Sequence, residues 1–409
     1  MTGLGCEGTL VTMPRLPMSV ARGAARYQTA ARRTELFAAA VGGVGSGVAH
    51  AERDPYVMLD ASHIPARRAV GAPPRPRCPA RARLGAVLVL HAAWAIGPAA
   101  AAGAPAPPSR SITELVPTAV IALGKTADWV AVTDEAVWVG TTGPNAVQQI
   151  DPKGNALVAT VVLPGNPCAG LAAGFGSLWV PLCATPNLLA RVDLRTRAVT
   201  LVPGLGPAAR EGGVTVSADS VWLIIDERAT LARIDPATGR VRQRIRLPRG
   251  SYNPMFSEGR IWVTRADGAE VTVVDAVTGA VLATVHGRPK PRFLTAGAGA
   301  VWTLNQGDGS LTRIDAATRT ITKTIELGTP GHGGDIAFGA GMVWTTMEKV
   351  PLSMVDATTG DLLCQWTGPG GDSLGIGYGA IWLTDYNAGT VSRLELADTL
   401  AHCRRAAGR

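Results

Sequence analysis

A histidine and a glutamate, His332 and Glu348, are the residues in this sequence best placed to do chemistry together. A carboxylate beside an imidazole can orient the ring, or the two can share a metal ion. Folding the chain back at Ala340 and Gly341 sets His332 opposite Lys349 and Glu348 opposite Gly333, which makes the pair near neighbours. One His and one Glu do not specify a metal, since protein sites use three or four ligands. A divalent cation could sit there, but the pattern requires no cofactor. An ordinary polar pair is the commoner outcome.

Other candidates recur just before or just after particular strands of a repeat described below. Tyr252, Asn253, Arg292, Asp335 and Asp372 precede or begin one kind of strand, and Asp385 and Tyr386 follow another. They are the candidate ligand-binding residues, because loops on a rigid scaffold often carry function. Gly333-Gly334-Asp335 and Gly370-Gly371-Asp372 occupy matching places in two repeats. Each reads first as a turn in which Gly frees the backbone and Asp caps it. The alternative is a pair of carboxylates facing a common opening. Arg240, Arg242, Arg244 and Arg246 alternate along one strand. Charge that protects a sheet edge explains such a row, and so does a site for an acidic partner. There is no nucleophile elbow, zinc-type Cys/His cluster or dinucleotide fingerprint.

The elements that must position these residues come from an internal repeat. Trp recurs in apolar triplets at 138, 179, 222, 262, 302, 344 and 382. An acid follows each Trp by twelve to fourteen residues: Asp151, Asp193, Asp235, Asp275, Asp315, Asp356 and Glu395. A period near 40 built from four short strands, a to d, is the signature of propeller blades. Strand b carries the Trp, and strand c ends at the acid. A turn such as Asp235-Pro236-Ala237-Thr238-Gly239 then leads into the outer strand d. The Trp series predicts packing between blades, and the acids predict turn caps.

The seventh unit lacks its own strand d. The segment Thr118–Gly124 resembles the other outer strands and has no partner in its own repeat. The fold expected is therefore an all-β, seven-bladed β-propeller with four-stranded blades, its ring closed by the N-terminal strand. Closure removes the exposed edges that a linear array leaves.

Charge and composition organise the rest. Residues 1–104 hold 12 Arg and no Lys against 5 acids, while residues 105–409 hold 27 basic and 26 acidic residues. The excess positive charge thus lies outside the repeat, which argues against a nucleic-acid partner. Residues 1–80 read as disordered or as upstream sequence ahead of a later start. Residues 81–104 read as a signal peptide, with Arg81 and Arg83 before an apolar run from Leu84 and small residues at Ala99–Ala102. Residues 105–117 read as a linker, 118–396 as the propeller and 397–409 as a tail. The expectation is an exported, monomeric protein that meets a membrane only through an uncleaved signal. In an oxidising compartment Cys168 and Cys183, facing each other across the a–b hairpin of blade two, should form a disulfide. A tail folded back to blade six could pair Cys403 with Cys364; the sequence leaves that pairing open.

The repeat, with its Ile-Asp-Pro-x-Thr-Gly type of turn at 234–239, resembles the YVTN-type bacterial propellers. It is also similar to the streptogramin (virginiamycin B) lyase group. The resemblance covers about residues 118–396. The first group implies an exported module that binds a protein or small molecule. The second implies a lyase that opens a cyclic lactone with a His base and a magnesium ion held partly by a Glu, roles that would fall to His332 and Glu348. This sequence departs from that pattern. Glu348 lies four residues after Trp344 instead of three, and no second His stands in the propeller loops. A binding or scaffold role is the first reading, and a lyase- or hydrolase-like enzyme the second.

Overall fold

Alternating inward apolar and outward polar residues, broken by turn residues, make short antiparallel strands. The computed structural model describes residues 109–406 and consists of seven β-sheets, most of them four-stranded. The segments expected as upstream sequence and as an export signal lie outside the described residues. Among the described residues, no helix is long and apolar enough to cross a membrane.

Each sheet is one blade, ordered a-b-c-d from the axis outward. Blade one runs through Thr126–Val132, Val137–Thr142, Ala146–Asp151 and Ala156–Val162. The a strands of neighbouring blades lie side by side, and that of blade seven (Leu374–Gly377) adjoins that of blade one. The sequence therefore forms a closed ring of seven blades. The closing strand is Ala119–Ala122, which pairs antiparallel with strand c of blade seven, Thr390–Glu395, in the register Ile121↔Val391. Thr118 and Leu123 extend the joint by donating backbone N–H bonds of 2.9 Å to Arg393 and Gly389.

The a–b turns of five blades place a residue and a following Gly both at positive φ, as at Phe175–Gly176 and Ala340–Gly341. That geometry matches the twist of a tight hairpin, which is why Gly recurs at the second position. Six of the seven expected turn acids are caps; the seventh, Glu395, instead pairs with Arg393 and accepts the Thr118 hydroxyl, because the chain runs on into a helix there. Asp235 accepts the N–H groups of Ala237 and Thr238 at 2.8 Å each. These bonds, that from Thr238 foremost, hold its carboxyl down at about 2.

The seven Trp side chains of strands b are all at most 1% exposed. Each joins an apolar cluster shared with the next blade: Trp138 packs with Leu178 and Val180 of blade two, and Trp382 with Val137 and Val139 of blade one.

Two segments depart from expectation. Part of the stretch expected to be a linker is ordered. Ser109–Ser111 adds a fifth, parallel strand to the outer edge of blade six, and Ile112–Glu114 follows as a 3-10 turn capped by Ser111. The strand borrows the edge that Leu362–Thr367 leaves open, which no local pattern announces. The tail is helical over Leu396–Ala406. Leu396, Leu400 and Cys403 fall on one face of that helix and pack beside blade six. The helix brings Cys403 to Cys364, and the two form a disulfide with Cα atoms 5.9 Å apart. Cys168 and Cys183 are bonded as expected, with Cα atoms 5.7 Å apart.

The closing strand buries Ile121 and Leu123 and seals the joint between blades seven and one. A chain that begins at Asp128 loses it. Burying each of these side chains is worth about 1.5–3 kcal/mol, so that chain should aggregate or melt several degrees below one that begins at Pro105. Equal melting temperatures by differential scanning calorimetry would show that the joint does not depend on this strand.

Candidate functional site

The loops that join strand d to the next strand a, and strand b to strand c, gather at one end of the ring. There they enclose a cavity of about 690 Å³, bordered by blades six, seven, one and two and by Arg210 and Glu211 from the loop that enters blade three. Below it the central channel holds a further space of about 400 Å³, lined by strands a of all seven blades. Trp129 of blade one meets Phe293 of blade five there, edge to face, with ring centroids 5.9 Å apart. The backbone explains this reach. Trp129 sits at a bulge between Asp128 and Val130 with φ of 50°, and its N–H donates to the Asp128 carboxylate at 2.7 Å.

Three aspartates from three blades lie where cavity and channel meet. The carboxyl groups of Asp128 of blade one and Asp372 of blade seven are close enough for each to act on the other's ionisation. Burial pushes Asp128 well above the usual carboxylate range, and the charge of Asp372 adds to that. Burial raises Asp372 as well. Two carboxyls this close resist ionising together. Asp335 of blade six is pushed up to about 6, chiefly by burial. Its Oδ2 accepts the Ser373 hydroxyl at 2.6 Å, and Ser373 Oγ accepts the Val130 N–H at 3.2 Å. The network thus ties blade six to seven and seven to one.

The Gly-Gly-Asp motifs build this arrangement. Gly333, Gly334, Gly370 and Gly371 all have positive φ. A side chain on Gly334 would run into the Thr346 carbonyl. Only Gly lets the chain turn so close to strand b and deliver Asp335 and Asp372 to the axis. Asp372 Oδ1 also accepts the Gly334 N–H at 3.3 Å, and its carbonyl accepts the Thr346 hydroxyl.

A second polar group stands on blades three to five. The Arg292 guanidinium lies 4.1 Å from the centre of the Tyr252 ring, donates to the Tyr252 hydroxyl at 2.8 Å and pairs with Glu211 at 2.6 Å. Burial raises the Tyr252 phenol. Asn253 is buried and donates to the carbonyls of Glu211 and Arg292, at 3.2 and 3.1 Å, which makes it a brace between loops.

His332, Glu348, Asp372, Asp385 and Tyr386 therefore all border the upper cavity, whereas Asn253 and Asp335 border the channel below. Tyr252 and Arg292 reach the cavity through Glu211. His332 and Glu348 are both exposed and make no hydrogen bond or ion pair with each other. Their strands pair from Asp335 and Thr346 onward, so His332 and Glu348 lie beyond the last paired residues. Among the described residues, no group of three or more His, Cys, Asp or Glu side chains is arranged to hold a metal ion. Sequence reasoning passed over Asp128, Glu211, Arg210 and Trp129. Asp128 stands at the start of strand a, the position searched in the other blades, and could have been found by applying the repeat to blade one.

The family model described as outer membrane protein assembly factor BamB (PQQ_2) matches residues 184–367. No curated protein matches the chain. Among solved structures, BamB from Moraxella catarrhalis is similar, at 12% identity and a TM-score of 0.50, over 69% of this chain and 99% of that one. These likenesses agree with the seven-bladed fold. They attach a different family description from the YVTN and streptogramin lyase resemblance of the repeat.

The raised carboxyl of Asp335 has a consequence for stability. An unfolded Asp ionises near ~3.9, below the folded value of about 6. The unfolded chain releases its proton first as pH rises. The stability this group contributes is full below about pH 4 and is lost as pH climbs through about 6. Asp335→Asn removes that dependence while keeping polar partners for Ser373 and the Ile336 N–H. The melting temperature of the variant minus that of the parent should therefore rise between about pH 4 and pH 7.5. A difference that stays flat over that range would show that Asp335 does not titrate there.

Proposed function

We propose that this chain is an exported scaffold that binds a protein partner at the loop end of its propeller, with the 690 Å³ cavity as the centre of the binding face. The observation that carries this reading is the convergence of loops from five blades on one polar concavity. Its floor holds the Asp128–Asp372 pair, and its rim carries both signs of charge, with Arg210 and Lys349 beside Glu348 and Asp385. A site of this size with few convergent polar groups suits one anchoring segment of a partner. The match of residues 184–367 to an outer membrane protein assembly factor supports a role in assembling other proteins. The two disulfides support an oxidising compartment.

The second reading, a lyase-like enzyme, rests on His332 and Glu348 lining the same cavity. It has less behind it, since the two side chains are exposed and do not engage each other. It requires magnesium-dependent opening of a streptogramin lactone that His332→Ala abolishes. Absence of lactone opening by the intact protein would remove it.

The scaffold reading is tested by placing a photoreactive phenylalanine at Tyr386, on the cavity rim, or at Phe175, on an a–b turn at the far end of its blade. Irradiation in the native cells should give a discrete protein adduct from position 386 and none from 175. An adduct from 175 alone, equal adducts from both, or none from 386 would count against the loop end as the binding face.

A further inference from the structure

We propose that the outer edge of blade three is a docking strand for an acidic, extended polypeptide segment. The strand is Val241–Arg246, with the sequence Val-Arg-Gln-Arg-Ile-Arg. None of the other six outer strands carries an arginine. Arg240, Arg242, Arg244 and Arg246 are all exposed, while Ile245 turns inward to the core. Arg242 is held by Asp235 at 2.6 Å. Arg240 and Arg244 have no side-chain partner among the described residues. This row of charge is local, because residues 105–409 as a whole are nearly neutral, with 27 basic and 26 acidic residues.

Protection of the edge does not account for it. Charge on an edge strand discourages edge-to-edge pairing, but the remaining outer strands manage without any arginine, and only Ile321–Glu326 among them carries a lysine. What the edge offers is two kinds of unmet demand. Its backbone pairs only with strand c, Thr230–Ile234, so its outward N–H and C=O groups lack strand partners. Its guanidiniums recur at every second residue, about 6.6–7 Å apart along the strand. An added strand with Asp or Glu at alternate positions meets both, by main-chain ladder and by charge-assisted bonds. An anionic lipid surface meets only the second. A second copy of this chain is disfavoured, because it would set arginine against arginine. The fold already accepts a fifth strand on an outer edge, since Ser109–Ser111 adds to blade six.

The test uses the full chain and a fluorescent peptide of about nine residues with Glu at alternate positions and Thr or Val between. Fluorescence anisotropy should show salt-sensitive binding. Arg244→Gln with Arg246→Gln should weaken it about tenfold or more at an unchanged melting temperature, and Arg244→Lys with Arg246→Lys should restore part of it. The same peptide N-methylated at alternate backbone positions should bind weakly or not at all. The proposal is overturned if the parent protein does not bind the peptide, or if the glutamine variant binds equally well. Equal binding of the N-methylated peptide overturns the strand-addition geometry. Binding of phosphatidylglycerol vesicles without binding of the peptide assigns the arginines to a membrane instead.

Discussion

The packing of one tryptophan from each blade against the next blade is the interaction on which the molecule depends. A buried Trp removes about 150–250 Å² from water, worth roughly 4–6 kcal/mol at about 25 cal/mol per Å². Seven such wedges act between sheets that share no hydrogen-bonded ladder. In four blades the indole N–H also finds the carbonyl of the last residue of strand a, as Trp344 does with Gly339 at 3.1 Å. Four of the Trp rings lie near an Arg from strand c, as Arg393 lies 5.6 Å from Trp382. The wedge is thus set by its own blade and received by its neighbour. The seventh, Trp382, has a neighbour only if the ring closes on blade one, which is the task of Ala119–Ala122.

That joint also bears the site. Asp335, Asp372 and Asp128 come from blades six, seven and one, and Val130 and Ser373, bonded to each other, are 243 residues apart in sequence. The carboxyls meet only because the ring closes there. Their raised protonation means that the fold bears a cost at neutral pH for keeping them together. Clusters of titratable groups of this kind concentrate at functional sites, though structural networks also produce them. The cavity above them supplies the concavity that an idle network would lack.

Much of this was legible in the sequence, for a physical reason. Blade period, Trp spacing, turn acids and the orphan strand at 118–124 are local patterns repeated seven times, so each copy checks the others. The Cys168–Cys183 bond was expected from a direct cross-strand pairing that the structure does not keep, since Asn166 pairs with Cys183, but the two cysteines still come close enough to bond. Glu211 and Arg210 were not legible, because the loop entering blade three has no repeat counterpart and its position depends on the whole ring. Trp129 was hidden as well. Its positive φ is a bulge conformation that propensity does not announce for a Trp. The fifth strand at Ser109–Ser111 answers an open edge that is distant in sequence. The tail was set apart from the strands but not read as a helix, although its apolar residues, Leu396, Leu400 and Cys403, follow a helical period. His332 and Glu348 both border the cavity, yet register says nothing of whether two exposed side chains engage.

The central claim is that ring closure at blades seven and one and the carboxyl site above it form one cooperative unit. Native-state hydrogen exchange tests it most directly. The Leu123 amide, bonded to the Gly389 carbonyl across the joint, and the Asp372 amide, bonded to the Thr384 carbonyl at the site, report the two parts. The account expects both to exchange with the same opening free energy and the same denaturant dependence as the buried strands of blades two to five. Exchange of Leu123 by an easy local opening, while Asp372 and the other blades stay protected, would contradict it.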